Sequence, residues 1–130
     1  MCRVLIIDDD EDLLFLIGKF MEAKGIDFEL AGNAEQARIH LAHTRFDLLI
    51  SDLKMPGESG FDLFRYVSSR YPGVRFAIMS GYDDYRTRSK ARGMGIDGYI
   101  EKPFSFIELL QIVKNLAPLC LPETSQVSAA

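Results

Sequence analysis

The sequence contains two cysteines and two histidines among 130 residues. That is too few for a disulfide framework or a zinc site of ordinary spacing. Cys2 and Cys120 stand near opposite ends, and no C-x-x-C occurs. By the link between disulfides and compartment, two such cysteines are expected to be reduced thiols in a cytoplasmic protein. His40 and His43 are three apart in a segment of helical pattern and are expected on the surface rather than as a metal pair. No apolar run approaches the ~20 residues that span a bilayer. The first apolar run is short and ends in acids, which is not the layout of a secretory signal. An excess of positive charge is also missing. The net charge is −4, so direct nucleic-acid binding by this chain is not expected. Neither G-x-x-x-x-G-K-[ST] nor a glycine-rich loop after the first apolar run is present, which removes the common nucleotide cradles.

What the sequence does have is acid placed against apolar residues. Val4 to Ile7 run directly into Asp8, Asp9, Asp10, Glu11 and Asp12. Burying a carboxylate without a partner costs several kcal/mol, roughly, and like charges add to that cost. The rest of the pattern supplies a reason. Arg3 to Ile7 reads as a buried strand, and Leu13, Leu16, Ile17 and Phe20 follow at helical spacing until Gly25. Asp27–Ala31 reads as a second strand, and Asn33 as the N-cap of a helix with Ala34, Ala37 and Leu41 on one face. Asp47–Ser51 is a third strand, and a helix marked by Phe61, Phe64 and Val67 ends near Pro72 and Gly73. Val74–Met79 is a fourth strand, followed by a helix over Asp83–Arg92 that Gly93 and Gly95 stop. Gly98–Ile100 is a short fifth strand, and Phe106, Leu109, Leu110 and Val113 define a last helix ended by Pro118.

Strands that are continuous apolar runs and alternate with helices imply an α/β fold: a doubly wound parallel sheet covered on both faces. One domain is expected over residues 1–118, with 119–130 as a C-terminal tail or linker stub. In such sheets ligands bind beyond the carboxyl ends of the strands. Asp8 and Asp9 follow the first strand, Asp52 the third, Ser80 the fourth and Lys102 the fifth. A strand order of 2-1-3-4-5 would bring the three carboxylates together. Three carboxylates call for a cation. Hard oxygen ligands favour Mg²⁺ over softer metals, with Mn²⁺ also suited. A cation, an ammonium and a hydroxyl around a central carboxylate would welcome a phosphoryl group, and Asp52 is placed to attack it. Asp10, Glu11 and Asp12 need no such role, because acids favour the positive end of a helix dipole.

The set IIDDD, SDLKMPGESG, IMSG and GYIEKPF resembles the receiver domain of two-component response regulators, in order and at the family's spacing over residues 3–117. The resemblance implies the flavodoxin-like order 2-1-3-4-5 with five helices. It implies that Asp52 accepts a phosphoryl group from a sensor histidine kinase or phosphotransfer protein. Asp8, Asp9, Asp52 and the backbone carbonyl of Lys54 would hold Mg²⁺, with Asp8 acting largely through water. Lys102 would pair with the phosphate, and Ser80 and Tyr99 would form a switch pair. Pro56, Gly60 and Pro103, the last after a cis peptide, would shape the loops. Residues Lys54 and Tyr82 would tune the lifetime of the phosphoryl group. Such a chain is a signalling switch rather than an enzyme. Two other readings remain open: an aspartate-nucleophile phosphatase using Asp8 and Asp10, or a receiver-like interaction module that is never phosphorylated. The fourth helix has few large apolar anchors and carries Arg86, Arg88, Lys90 and Arg92. With the fifth strand and last helix it is expected to form the surface for a homodimer or an output domain.

Overall fold

The computed structural model describes residues 2–81 and 85–122. Five strands, β1 (Val4–Ile7), β2 (Phe28–Ala31), β3 (Leu48–Asp52), β4 (Arg75–Ser80) and β5 (Gly98–Glu101), alternate with five helices. The helices are α1 (Glu11–Ala23), α2 (Ala34–His43), α3 (Gly60–Arg70), α4 (Tyr85–Met94) and α5 (Phe106–Leu116). The sheet is parallel throughout, in the order β2-β1-β3-β4-β5. This is the doubly wound parallel sheet expected from the alternation, in the flavodoxin-like order that the receiver-domain resemblance implies.

Two apolar layers sandwich the sheet. Val4, Ile6, Leu48 and Ile50 point into one, with α1 and α5 packed over them. Leu5, Ile7, Leu49 and Ile78 point into the other, beneath α2, α3 and α4. All four residues of β1 are 0% exposed. Full burial of an aliphatic side chain contributes about 1.5–3 kcal/mol, so this strand is strongly anchored, up to the residue before Asp8. Local chemistry sets the helix starts. Asp10 caps α1 by accepting from Leu13 N, and Asn33 caps α2 by accepting from Gln36 N. Ser59 and Asp62 form a reciprocal capping box on α3.

Three expectations change. The buried stripe of α1 is Leu14, Ile17, Gly18 and Met21, whereas Leu16 is largely exposed. The apolar residues of this helix outnumber the positions facing the sheet, so spacing alone did not fix the phase. The packed chain also continues past Pro118. Pro118–Cys120 forms a 3-10 turn, and Cys120 and Leu121 are buried against the α1/α5 layer. The remainder of the expected tail, 123–130, lies outside the described residues, as do Tyr82 and the expected start of α4 at Asp83. Finally, Cys2 and Cys120 are not separate thiols. They are joined in a disulfide, with their Cα atoms 4.7 Å apart.

Candidate functional site at the carboxyl edge of the sheet

Parallel register carries the candidate residues to one edge. Ile7 pairs with Ser51, so Asp8 emerges beside Asp52, the last residue of β3. Asp52 pairs with Met79, and Ser80 pairs with Glu101. The Lys102 backbone N–H donates to the Ser80 carbonyl at 2.8 Å, which continues the β4–β5 ladder by one residue. Among the expected site residues, Asp8, Asp9, Asp52 and Lys102 converge. One carboxylate oxygen from each of the three acids lies within 4.8 Å of the others.

Burial differs across the cluster. Asp8 is 0% exposed and Asp52 7%, whereas Asp9 faces solvent. Two charges about 4 Å apart repel by roughly 4 kcal/mol at an effective dielectric of 20. Lys102 offsets this. Its Nζ donates to Asp8 Oδ2 at 2.6 Å and lies 3.2 Å from Asp52 Oδ1. Asp8 Oδ1 accepts a further bond from the Asp10 backbone N–H at 2.9 Å. Burial, and after it the charge of Asp8, push the Asp52 carboxyl up to about 6, although Lys102 works in the opposite direction. Burial alone would lower the Lys102 ammonium. The hydrogen bond and charge of Asp8, reinforced by Asp52, outweigh it and raise the group instead. The pocket therefore holds more negative charge than one lysine balances. An all-oxygen donor set of this kind fits a hard divalent cation such as Mg²⁺.

The loop from 53 to 59 crosses the mouth of the site. Gly60 must be glycine, because a Cβ there would stand 2.6 Å from the Asp52 carbonyl oxygen and 2.9 Å from Ile78 Cδ1. Its own N–H donates to the Leu53 carbonyl at 2.8 Å, closing the loop on itself. Gly57 follows Pro56 with φ of +85°, a left-handed turn that glycine adopts without strain. Lys54, in the same loop, is exposed. The Lys102–Pro103 peptide is cis.

Sequence reasoning did not find the brace of this loop. Arg38 Nη1 on α2 donates to both carboxylate oxygens of Glu58, at 2.7 and 2.6 Å. The Arg38 guanidinium also lies 5.2 Å from the Tyr66 ring centre. These contacts join residues 20 apart in sequence, and no local pattern signals them. They border a groove of about 830 Å³ that begins at Asp9 and Gly57.

The expected switch residues lie on neighbouring strands, β4 and β5. Ser80 is buried at the carboxyl end of β4. Tyr99 pairs in register with Ile78, two residues before Ser80, and packs with the α2/α3/α4 layer. The Arg88 guanidinium lies 4.7 Å from the Tyr99 ring centre and reaches Glu101 Oε2 at 3.8 Å. The Lys90 ammonium lies 4.7 Å from the Phe61 ring centre. The basic face of α4 is thus partly engaged within the chain. His43 Nδ1 contacts the Ile39 carbonyl, and neither histidine joins a metal-ligand cluster among the described residues.

A doubly wound sheet with an acid triad and a lysine at its carboxyl edge defines a class, and the comparisons agree with it. The response regulator receiver domain family matches residues 4–114. The chain belongs to that family. It is 30% identical over 124 residues to the response regulator protein PilR of Pseudomonas aeruginosa, a match covering 95% of this chain and 28% of PilR. It is 33% identical to the phosphate regulon transcriptional regulatory protein PhoB of Rhizobium meliloti, covering 93% of this chain and 54% of PhoB. The chain therefore spans about a quarter to a half of such curated relatives. Among solved structures, the signal receiver domain of an HD domain-containing protein from Pseudomonas fluorescens aligns with a TM-score of 0.84 at 26% identity, covering 92% of this chain and 96% of that one. The response regulator protein TrrA of Thermotoga maritima, in complex with Mg(2+)-BeF, aligns at 0.79 with 28% identity, covering 89% and 99%. No helix among the described residues is long and apolar enough to cross a membrane.

Proposed function

We propose that this chain is a phosphoacceptor switch. Asp52 takes a phosphoryl group from the phosphohistidine of a sensor histidine kinase or phosphotransfer protein in the cytoplasm, and the receiver unit, which includes the packed turn after Pro118, passes the change to an output surface. The observation that carries this reading is the Lys102 ammonium held between Asp8 and Asp52, with Asp9 beside them.

Asp8, Asp9, Asp52 and the Lys54 carbonyl are the residues that would hold Mg²⁺, with Mn²⁺ a workable substitute. Bound there, the cation supplies charge neutralisation and orients phosphoryl oxygens. The protein's own groups do the rest. A carboxylate oxygen of Asp52 attacks phosphorus while the P–N bond to the donor imidazole breaks, and the electron pair leaves with the imidazole nitrogen. Lys102 is free to exchange part of its contact with Asp52 for a phosphoryl oxygen, because its shorter bond, to Asp8, keeps it anchored. The Ser80 hydroxyl donates to another phosphoryl oxygen, and Tyr99 turns inward into the space it vacates. The modified aspartate carries about −1.5 to −2 charges where the carboxylate carried one, and a weakly anchored element reads that difference. Helix α4 suits this role, since Ala91 is its only buried residue among those described.

Against the phosphatase reading, Asp10 Oδ1 already accepts from Leu13 N as the α1 cap, so the second acid of that pairing is occupied. The test is intact-protein mass after incubation with Mg²⁺ and a small acyl-phosphate donor, beside Asp52→Asn and a chelated control. One phosphoryl adduct, absent from both controls, is expected. No adduct while Mg²⁺ binds normally would leave an unphosphorylated interaction module, and rapid donor consumption without adduct would reinstate the phosphatase.

A further inference from the structure

We infer that Cys2 and Cys120 form a thiol–disulfide exchange site, one that latches the segment leaving α5 to the amino end of the sheet and opens to a dithiol reductant. This goes beyond the phosphoryl-transfer reading and does not depend on it.

The site lies at the opposite end of the strands from Asp52. Cys2 precedes β1, and Asp47, which precedes β3, stands beside the pair. One oxygen of its carboxylate and the two sulfurs lie within 4.8 Å of one another. The disulfide closes a loop spanning 118 residues, so it ties together the two ends of the described domain. What it holds is small. Residues 118–122 consist of the 3-10 turn, the buried Leu121 side chain and Pro122, whose Cγ is 3.0 Å from where a Cβ on Gly25 would stand. Two backbone bonds of this segment are local: Cys120 N–H to the Ala117 carbonyl, and Leu121 N–H to the Pro118 carbonyl. Without the covalent link, a short turn with few apolar anchors is drawn from the low-stability end of the structure. The parallel ladder itself makes no use of it.

The two residues differ in exposure. Cys120 is 6% exposed, whereas Cys2 is partly open to solvent. A reductant thiolate attacks Cys2 Sγ, and the Cys2–Cys120 bond breaks with Cys120 leaving as a thiolate that takes up a proton. The second thiol of the reductant then attacks its own sulfur in the mixed disulfide and releases Cys2 as a thiol. The protein gains two electrons and two protons, and the dithiol becomes a disulfide. The Asp47 carboxylate, held by the Arg3 backbone N–H at 3.0 Å, places a negative charge beside the pair that an attacking thiolate must approach. Arg3 does not neutralise it, because the Arg3 guanidinium pairs with Asp27 at 3.0 Å.

The test equilibrates the wild-type chain in mixtures of reduced and oxidised dithiothreitol, traps free thiols by alkylation, and follows hydrogen exchange on the same samples. The two cysteines are expected to become reactive together in one transition. The Cys120 and Leu121 amides are then expected to lose about tenfold or more protection while those of β3 and β4 hold theirs. A Cys2→Ser variant should show the unprotected segment under both conditions, and because Cys2 is partly exposed the change leaves the core layers intact. Cysteines that alkylate fully even in oxidised dithiothreitol would overturn the inference. So would a disulfide that resists the dithiol until the whole domain unfolds. Stoichiometric capture of Zn²⁺ by a chain that never closes the disulfide would also overturn it, making Cys2, Asp47 and Cys120 a metal site instead.

Discussion

Lys102 sits closer to Asp8 than to the proposed phosphoacceptor: 2.6 Å from Asp8 Oδ2 against 3.2 Å from Asp52 Oδ1. The fully buried acid therefore depends on this lysine for its charge balance in the absence of a cation. Lys102→Met should lower stability in chelator by about 2–4 kcal/mol. That is somewhat below the ~3–5 kcal/mol of breaking a pair buried on both sides, because the lysine side chain is 23% exposed although Asp8 is fully buried. Saturating Mg²⁺ should recover most of the loss by linkage. Urea denaturation with and without Mg²⁺ checks both halves, and an equal loss in the two conditions would count against the shared-charge account.

Asp52 gives a pH dependence of definite sign. Its folded value is raised to about 6, mainly by burial, from an ordinary 3.8. A raised carboxylate means the folded state binds its proton more tightly than the unfolded state. The ionised group therefore costs stability above pH 6, and the cost disappears as pH falls toward 4. In chelator at pH 7.5, Asp52→Asn should be more stable than wild type by about 1–3 kcal/mol, because each tenfold gain in proton affinity on folding is worth about 1.4 kcal/mol. The difference should close below about pH 4. Thermal melts across that range test it; an Asn variant less stable at pH 7.5 would contradict the assignment.

How much of this was legible in the sequence varies with the range of the interaction. The site residues Asp8, Asp9, Asp52 and Lys102 lie in motifs that each span a strand and the turn after it, while the sheet order that brings them together came from the family resemblance those motifs carry. Asn33 as a cap follows from local chemistry. The phase of α1 did not, because Leu13, Leu14, Leu16 and Ile17 offer more than one apolar stripe. The Arg38–Glu58 brace was out of reach, since a solvent-facing arginine and a loop glutamate carry no pattern until the fold joins them. The Cys2–Cys120 bond was missed for a further reason. The general preference for reduced thiols in the cytoplasm pointed the other way, and only the proximity of the two ends argues for pairing.

Gly60 links loop shape to the site. A methyl group there would meet the Asp52 carbonyl at 2.6 Å and the Leu53 Cα at 3.1 Å, both backbone atoms that cannot rotate aside. Gly60→Ala is expected to cost about 2–3 kcal/mol, the upper part of the overpacking range, despite alanine's better helix propensity. It should also weaken Mg²⁺ binding several-fold, because Asp52 and the Lys54 carbonyl both shift. Isothermal titration on the folded variant separates the two effects, and unchanged Mg²⁺ affinity would restrict Gly60 to stability.

Lys54 stands exposed two residues after Asp52, in the loop braced by Arg38 and Glu58. A long cationic side chain there crowds the approach of an attacking water. Lys54→Asn, which substitutes a short amide able to orient that water, should shorten the lifetime of phosphorylated Asp52 several-fold. Decay of the phosphoryl adduct followed by intact mass measures it. Decay no faster than in wild type would remove the role.

Arg88 on α4 contacts Tyr99, the residue proposed to move with the phosphoryl switch. Its guanidinium stacks over Tyr99 at 4.7 Å and reaches Glu101 at 3.8 Å, so one side chain fastens α4 to β5. Tyr99 cannot turn inward and keep that stack. The stack contributes about 0.5–1 kcal/mol at an exposed position, and the exposed ion pair adds little. Removing it should therefore bias the chain toward the activated arrangement by roughly two- to five-fold, and by reciprocity raise affinity for a phosphoryl mimic by the same factor. Arg88→Ala should bind beryllofluoride with Mg²⁺ about two- to five-fold more tightly than wild type. Arg92, which is exposed on the same helix, makes a contrasting probe. Arg92→Glu should leave beryllofluoride affinity unchanged while weakening any self-association or partner binding that uses α4. If Arg88→Ala binds the mimic as wild type does, Tyr99 is not coupled to the site through Arg88. If Arg92→Glu leaves every association constant intact as well, the basic face of α4 is a solvated surface rather than an output.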